Sequence, residues 1–225
     1  MHPAQTRGDK IMLQSVSKQT LQRLPDYLNC LKTLHLNGKE TVSAKTVAET
    51  LGLGEIQVRK DLASVSTGGK PKIGYVTRDL IKDLEYYLGC NDTNDAVLVG
   101  AGKLGRALLS YDGFKDYGLN IVAAFDSHGD APAGDDGVNK TLPIEKLSDL
   151  CRRMRIRVGI ITVPAGSAQE VCDTLVSSGV LAIWNFAPIH LKVPDNIIVK
   201  NENLAASLAV LSRQLADKLS SREDE

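Results

Sequence analysis

No apolar run in this 225-residue sequence approaches the roughly 20 residues that a membrane helix needs, and the N-terminus lacks an apolar signal core. The protein is therefore expected to be soluble and cytoplasmic, with no membrane partner. The four cysteines, Cys30, Cys90, Cys151 and Cys172, lie far apart and form no C-x-x-C pair. That spacing disfavours zinc and disulfides and favours buried free thiols in a reducing compartment. The four histidines, His2, His35, His128 and His190, show no pairing with an acid or lysine that suggests proton transfer. No catalytic residue and no metal site are expected. Internal repeats are absent, and the only low-complexity segment is the polar tail near 220–225. Net charge is also zero, but it is unevenly divided. Residues 1–90 hold 13 Lys+Arg against 9 Asp+Glu, a balance of +4, while residues 91–225 hold 14 against 18, a balance of −4. The front of the chain prefers an anionic partner.

The length suits two modest domains. Residues 1–15 have no steady period and read as a flexible arm. A helix is expected over 18–36, with Leu21, Leu24, Leu28, Leu31 and Leu34 on one face, kinked at Pro25 or beginning there. Ser43 can cap a second helix over 44–51, and Gly52-Leu53-Gly54 turns the chain into a third, 55–64. This is a helix-turn-helix arrangement. The third helix should expose Gln57, Arg59 and Lys60 and turn Ile56, Val58, Leu62 and Ala63 inward. Such exposed groups suit base edges and phosphates, although they also suit an ordinary solvated face. The glycine-rich basic stretch 66–76 reads as the wing of a winged helix, with Lys70 and Lys72 at its tip. Ser43, Lys45, Gln57, Arg59, Lys60, Ser64, Lys70 and Lys72 are the candidate DNA contacts. Thr77 should cap a helix through Leu88 with Leu80, Leu84 and Tyr87 inward, and the polar stretch 89–94 should end a winged-helix domain over 16–90.

The second half alternates strands and helices, the pattern of an α/β parallel sheet covered on both faces. Its key stretch is Asp-Ala-Val-Leu-Val-Gly-Ala-Gly-Lys-Leu-Gly, residues 95–105, an apolar strand that stops on Gly100 and opens a helix at Lys103. Gly100, Gly102 and Gly105 have the G-x-G-x-x-G spacing of a Rossmann dinucleotide turn: a tight turn, a close approach to pyrophosphate, and helix packed on strand. The next strand, 119–125, ends on Asp126, about 20 residues beyond Gly105, where a carboxylate would hold the adenosine ribose hydroxyls. That carboxylate, with no Arg after it, favours NAD or NADH over NADP and disfavours CoA, although a CoA-binding module and a small NAD-dependent oxidoreductase are the rival readings. Gly100, Ala101, Gly102, Lys103, Leu104, Gly105 and Asp126 are candidate cofactor residues. A helix is expected over 103–111. The stretch 127–141 reads as a loop with one short strand near Val138. A helix over 144–154 leads to a strand over 158–163 that closes on Thr162, Val163 and Pro164, and a helix over 167–178 leads to a strand over 181–186 that ends on Asn185, Phe186, Ala187 and Pro188. Both ends lie where switch-point ligands bind, and these seven residues join the cofactor candidates, with Asn185 equally readable as a turn residue. Arg152, Arg153, Arg155 and Arg157 complement a helix dipole rather than forming a binding patch. The Rossmann domain is expected over 91–200.

The last helix, 202–218, carries Leu204, Leu208, Leu211 and Leu215 at alternating spacings of four and three, with Leu219 extending the seam. It could pack on its own sheet or form a subunit contact, and residues 201–220 are taken as a dimerisation helix ahead of the tail 221–225. Together, Gln57-Val58-Arg59-Lys60-Asp61-Leu62, Gly74-Tyr75, the Gly100 to Gly105 turn, Thr162-Val163-Pro164 and Asn185-Phe186-Ala187-Pro188 resemble the redox-sensing transcriptional repressors of the Rex family over about residues 16–219. The resemblance implies a homodimer that exchanges its C-terminal helices, binds double-stranded DNA at an inverted-repeat operator, releases it when NADH replaces NAD, and controls fermentation and respiration genes. It also implies that Arg23 and Tyr111 belong to the switch, Tyr111 being a cofactor-site residue as well. Two departures stand out. Ala63-Ser64-Val65-Ser66 replaces the family's aromatic, Ser-Phe-Gly-like wording, and Asn203 stands where the family's switch has an acid.

Overall fold

The computed structural model describes residues 16–127 and 141–223. The expected arm 1–15, the strand near Val138, His2 and His128 lie outside them. The chain divides into two compact units, Met1–Asp92 and Thr93–Glu225. Among the described residues no helix is long and apolar enough to cross a membrane.

In the first unit, α1 (Lys18–Leu36) starts where the Ser17 hydroxyl accepts from the Thr20 N–H at 3.1 Å, and it runs through Pro25 rather than beginning there. The bond that proline removes falls at Leu21, which is exposed rather than part of the core face. Leu24, Tyr27, Leu28 and Leu31 supply that face. They pack with Val47, Val58, Leu62, Leu80 and Leu84 in one apolar cluster. The second helix, α2 (Ala44–Leu51), follows β1 (Thr41–Val42) and ends at Gly52 in the left-handed region, where the Leu53 N–H closes back on the Ala48 carbonyl.

The third helix, α3 (Glu55–Val65), buries Val58, Asp61, Leu62 and Val65. Ile56 and Ala63, expected inward, face solvent instead. The chain then forms a tip closed by two backbone bonds between Lys70 and Gly74, at 2.8 and 2.9 Å. Its return strand β2 (Tyr75–Val76) pairs antiparallel with β1 rather than with the outgoing half of the hairpin. Gly74 is required at this crossing. Its φ is +87°, and a Cβ there would overlap the Val42 carbonyl oxygen. In α4 (Thr77–Leu88), Thr77 is the first helical residue and caps nothing: its hydroxyl is buried without a partner.

The second unit is a six-stranded, all-parallel sheet in the order β5-β4-β3-β6-β7-β8. Its strands are β3 (Asn94–Val99), β4 (Leu119–Asp126), β5 (Thr141–Pro143), β6 (Val158–Ile161), β7 (Ala182–Asn185) and β8 (Ile198–Asn201). Between them lie α5 (Lys103–Leu109), α6 (Leu147–Met154) and α7 (Ala165–Ser177). The helix expected over 103–111 stops two residues early and gives way to a 3-10 segment, Asp112–Tyr117. Strand β8 went unseen in the sequence: it is four residues long and lies at the sheet edge. The sheet's two faces carry separate apolar clusters, Val97, Val99, Phe125, Leu147, Cys151, Ile161 and Leu175 on one, Ala96, Leu98, Ala124 and Ile160 on the other. The helix α8 (Leu204–Glu223) follows β8, and Leu204, Leu208, Val210, Leu211, Leu215 and Leu219 on it are each at least half exposed. All four cysteines are free, and burial pushes the Cys151 thiol up to about 11.

Candidate functional site

The strand order turns back on itself at β3, because the chain moves outward to β4 and β5 and then returns to place β6 on the other side. Ligands of such sheets lie beyond the strand ends at that switch point. The loops after β3 and β6 meet there. The Gly100 N–H donates to Phe125 O at 2.8 Å, and the Thr162 hydroxyl donates to Gly100 O at 2.7 Å and Val99 O at 3.1 Å.

Each glycine of the turn has a different reason to be one. Gly100 has φ +106°, and a Cβ on it would lie 2.8 to 2.9 Å from the backbone of Thr162 and Val163. A Cβ on Gly105 would overlap the Gly100 carbonyl oxygen and come within 3.1 Å of Leu98, so this glycine lets α5 sit against the strand. Gly102 is the opposite case. Nothing lies within 4 Å of its Cβ position, and it is exposed at the start of α5, where no side chain caps the helix. First-turn N–H groups have no partner within a helix. The open cradle at Gly102 therefore presents backbone donors to an anion and admits close approach, which fits a dinucleotide pyrophosphate.

Asp126 ends β4 beside this turn, and its Oδ2 accepts from the Ala101 N–H at 2.8 Å. Lys103 and Leu104 are exposed at the helix start, Ala101 is buried, Thr162 and Val163 are half-buried and Pro164 is exposed. Asn185 departs from a ligand role. It is fully buried, its amide nitrogen donates to Ala187 O, Ile189 O and Asn201 Oδ1, and its oxygen accepts from the Ala187 N–H at 3.0 Å. These bonds give it the turn-holding role, and it shapes Phe186, Ala187 and Pro188 from behind. Tyr111 is exposed, edge-on to Phe114 at 4.9 Å, and its ring folds over Gly113, where a Cβ would meet it at 2.5 Å. Arg153 pairs with Asp149 one turn earlier on α6, and Arg157, beyond the end of that helix, donates to Gly179 O.

In the first unit, Gln57, Arg59 and Lys60 are exposed on α3, with Arg59 paired to Glu55 one turn earlier. Lys45, Lys70 and Lys72 are exposed as well. Two other candidates are occupied internally. The Ser43 hydroxyl caps α2 by accepting from the Thr46 N–H at 3.0 Å, and the Ser64 hydroxyl donates to Asp61 O at 2.6 Å.

Sequence reasoning missed the centre of this unit, the carboxylate of Asp61. It is buried, yet it accepts from Arg23 Nε at 2.9 Å and Nη2 at 3.1 Å, from the Tyr27 hydroxyl at 2.8 Å and from the Thr20 hydroxyl at 3.1 Å. Burial pushes this carboxyl up, but the bonds from Arg23, Tyr27 and Thr20 outweigh it and hold it below its ordinary value. The same burial, with Asp61 beside it, pushes the Tyr27 phenol up to about 12. Asn203 lies in the other unit, where its Oδ1 caps α8 by accepting from the Ala206 N–H at 2.9 Å.

These features define a chain that joins a winged-helix unit to a Rossmann-type nucleotide unit. Two family models match it in parts, "CoA binding domain" over residues 91–189 and "Putative DNA-binding protein N-terminus" over 15–63. Among curated relatives, the redox-sensing transcriptional repressor Rex of Porphyromonas gingivalis is 37% identical, covering 89% of this chain and 92% of that protein. The Rex of Pelotomaculum thermopropionicum is 41% identical over 90% and 95%. A crystal structure of RSP in complex with beta-NAD+ and operator DNA superposes with a TM-score of 0.85 at 32% identity, covering 93% of this chain and 97% of that one. RSP in complex with beta-NADH gives 0.83 at 32% identity, over 94% and 100%. The chain belongs to the Rex family of redox-sensing transcriptional repressors.

Proposed function

We propose that this protein is a homodimeric repressor that holds an inverted-repeat operator through α3 and the wing and leaves it when NADH occupies the Rossmann turn. The observation that carries the reading is the open cradle at Gly102, beside Gly100, Gly105 and Asp126, on the same chain as a winged helix with Gln57, Arg59 and Lys60 exposed. The relatives' names and the NAD+, NADH and operator DNA of the RSP complexes support it. NAD and NADH would lie with their pyrophosphate at Gly100 to Gly105 and a ribose at Asp126. Bound NADH supplies the difference in binding energy between two conformations that a ligand needs in order to shift DNA affinity. Arg59, Lys60, Lys45, Lys70 and Lys72 would meet phosphates or base edges. The apolar seam of α8 supports a subunit contact, and two-fold symmetry would give two recognition helices for a symmetric site. A repressor of this kind works in the cytoplasm, with no catalytic residue.

The test titrates NAD, NADH, NADPH and CoA separately into the purified protein and into its DNA complex. NADH binding with loss of DNA is the expected result, and Asp126→Ala should weaken NADH by a few kcal/mol at most while cofactor-free DNA binding persists. Tight CoA retention without nicotinamide binding would overturn the reading in favour of a CoA module.

A further inference from the structure

The ion pair at Asp61 extends to a third residue. Gln57 and Asp61 stand one turn apart on α3, and the guanidinium of Arg23, from α1, lies against both. A guanidinium offers only donors, so the amide atom that faces it is the oxygen. In that orientation Gln57 Oε1 lies 2.9 Å from Nη1, 3.0 Å from Nη2 and 3.3 Å from Nε of Arg23, over the face of the guanidinium and against its positive charge. Arg23 is in turn fixed by the two oxygens of Asp61, and Tyr27 and Thr20 hold that carboxylate from the other side. The chain of contacts runs from the buried core to an exposed side chain on the recognition helix.

We propose that Arg23 is a positioning residue that makes Gln57 a donor-only reader of DNA. The proposal rests on the reading of α3 as the helix that enters the major groove. A free glutamine recognises adenine by using both ends of its amide, the oxygen for N6–H and the nitrogen for N7. With its oxygen turned to Arg23, Gln57 presents only the two Nε2 hydrogens. Guanine shows two acceptors, N7 and O6, and thymine shows O4, whereas adenine sets a donor next to its acceptor. The base pair beneath Gln57 is therefore read for acceptors, with guanine preferred over adenine.

The experiment selects bound sequences from a randomised double-stranded DNA pool, using the full chain without cofactor. Wild type should enrich guanine at one position per half-site, and Gln57→Ala should reduce that preference about tenfold, on the scale of a single base contact. In Arg23→Lys the charge and a pairing with Asp61 remain, but a single ammonium cannot span Asp61 and Gln57, so adenine should now be accepted at that position and nowhere else. Gln57→Glu leaves Arg23 and Asp61 in place and keeps the proposal testable if Arg23→Lys does not fold. One of its oxygens pairs with Arg23 and the other faces the groove, so selection should move to a base with a major-groove donor, cytosine or adenine, with no loss of thermal stability. Uniform weakening on all sequences in Arg23→Lys, with that position unchanged in Gln57→Glu, would overturn the proposal and leave Arg23 a purely structural role. So would a Gln57→Ala protein that selects the wild-type site. Loss of all selection in Arg59→Ala with Lys60→Ala would still support α3 as the DNA helix in that event. A wild-type protein that enriches no sequence would overturn the underlying reading itself.

Discussion

Arg23 and Asp61 are 38 residues apart in sequence and meet side by side, Nε to Oδ2 at 2.9 Å and Nη2 to Oδ1 at 3.1 Å, so that α1 is pinned to α3 through a two-pronged ion pair. A buried carboxylate without such partners would cost several kcal/mol. Here the guanidinium, a phenol and a hydroxyl satisfy it together.

The two titrating groups of this cluster act at opposite ends of the pH scale. Because Asp61 is held below its ordinary value of 3.8, the unfolded chain takes up the proton first as pH falls. Its contribution to stability is full above about pH 4 and is lost as pH drops through the depressed value. Tyr27, raised from 10.0 to about 12, works in reverse: its contribution is full below pH 10 and is lost as pH climbs toward 12. Tyr27→Phe should cost about 1.5 to 3 kcal/mol at neutral pH, the scale of a hydrogen bond to a charged group, and should flatten the alkaline limb. Urea unfolding of the first unit, followed by circular dichroism across the pH range, reads both effects. An alkaline limb unchanged by the substitution would assign it to another group.

The glycines of the Rossmann turn should separate folding from binding. Gly105→Ala places a methyl on the Gly100 carbonyl oxygen and should destabilise the second unit by about 1 to 3 kcal/mol, as overpacking does. Gly102→Val meets open space and a φ of −67°, so its unfolding temperature should stay near wild type while NADH affinity falls at least tenfold. Calorimetric melting and titration of NADH measure the two outcomes. If Gly102→Val binds NADH as tightly as wild type, the pyrophosphate does not lie at this turn.

A chain cut before Glu202 loses α8 and its apolar seam, whose leucines are all more than half exposed within their own subunit. A contiguous exposed apolar seam is the kind of surface that subunit contacts cover. Sedimentation should find monomers or aggregates. A soluble dimer from the shortened chain would remove α8 as the subunit contact.

The glycine turn was legible in the sequence because its demands are local. A backbone at φ +106° and a helix packed onto a carbonyl oxygen each admit one residue type, and the spacing reports them directly. On α3 the same kind of reading failed. Periodicity turned Ile56 and Ala63 inward and took no account of Asp61, because an acid is buried only when distant partners neutralise it, and Thr20, Arg23 and Tyr27 come from a different helix. Asn185 was ambiguous for a related reason, since one of its four bonds is made to Asn201, sixteen residues on in β8. That strand lies at the sheet edge and is largely exposed, so it carries no buried apolar run of the kind that marks β6 and β7.

Asn203 supplies the last prediction. Its Oδ1 caps α8, a task that Asp performs equally well, so Asn203→Asp should leave the helix and its stability unchanged and add only a charge. If the switch runs through this position, as the family resemblance implies, an Asp there would attract Arg23 or Tyr111 in one state more than in the other. Asn accepts an ordinary hydrogen bond where Asp accepts a charge-assisted one, a difference of about 1 kcal/mol and up to a tenfold change in an equilibrium constant. Arg23 in this structure is already engaged by Asp61, which a competing charge would have to match. NADH should therefore release the native protein from DNA less sharply than the Asn203→Asp variant. The comparison is a titration of NADH into each protein on the same operator at fixed salt, because phosphate contacts make affinity salt-dependent. Equal release by the two proteins would show that the redox response does not pass through position 203.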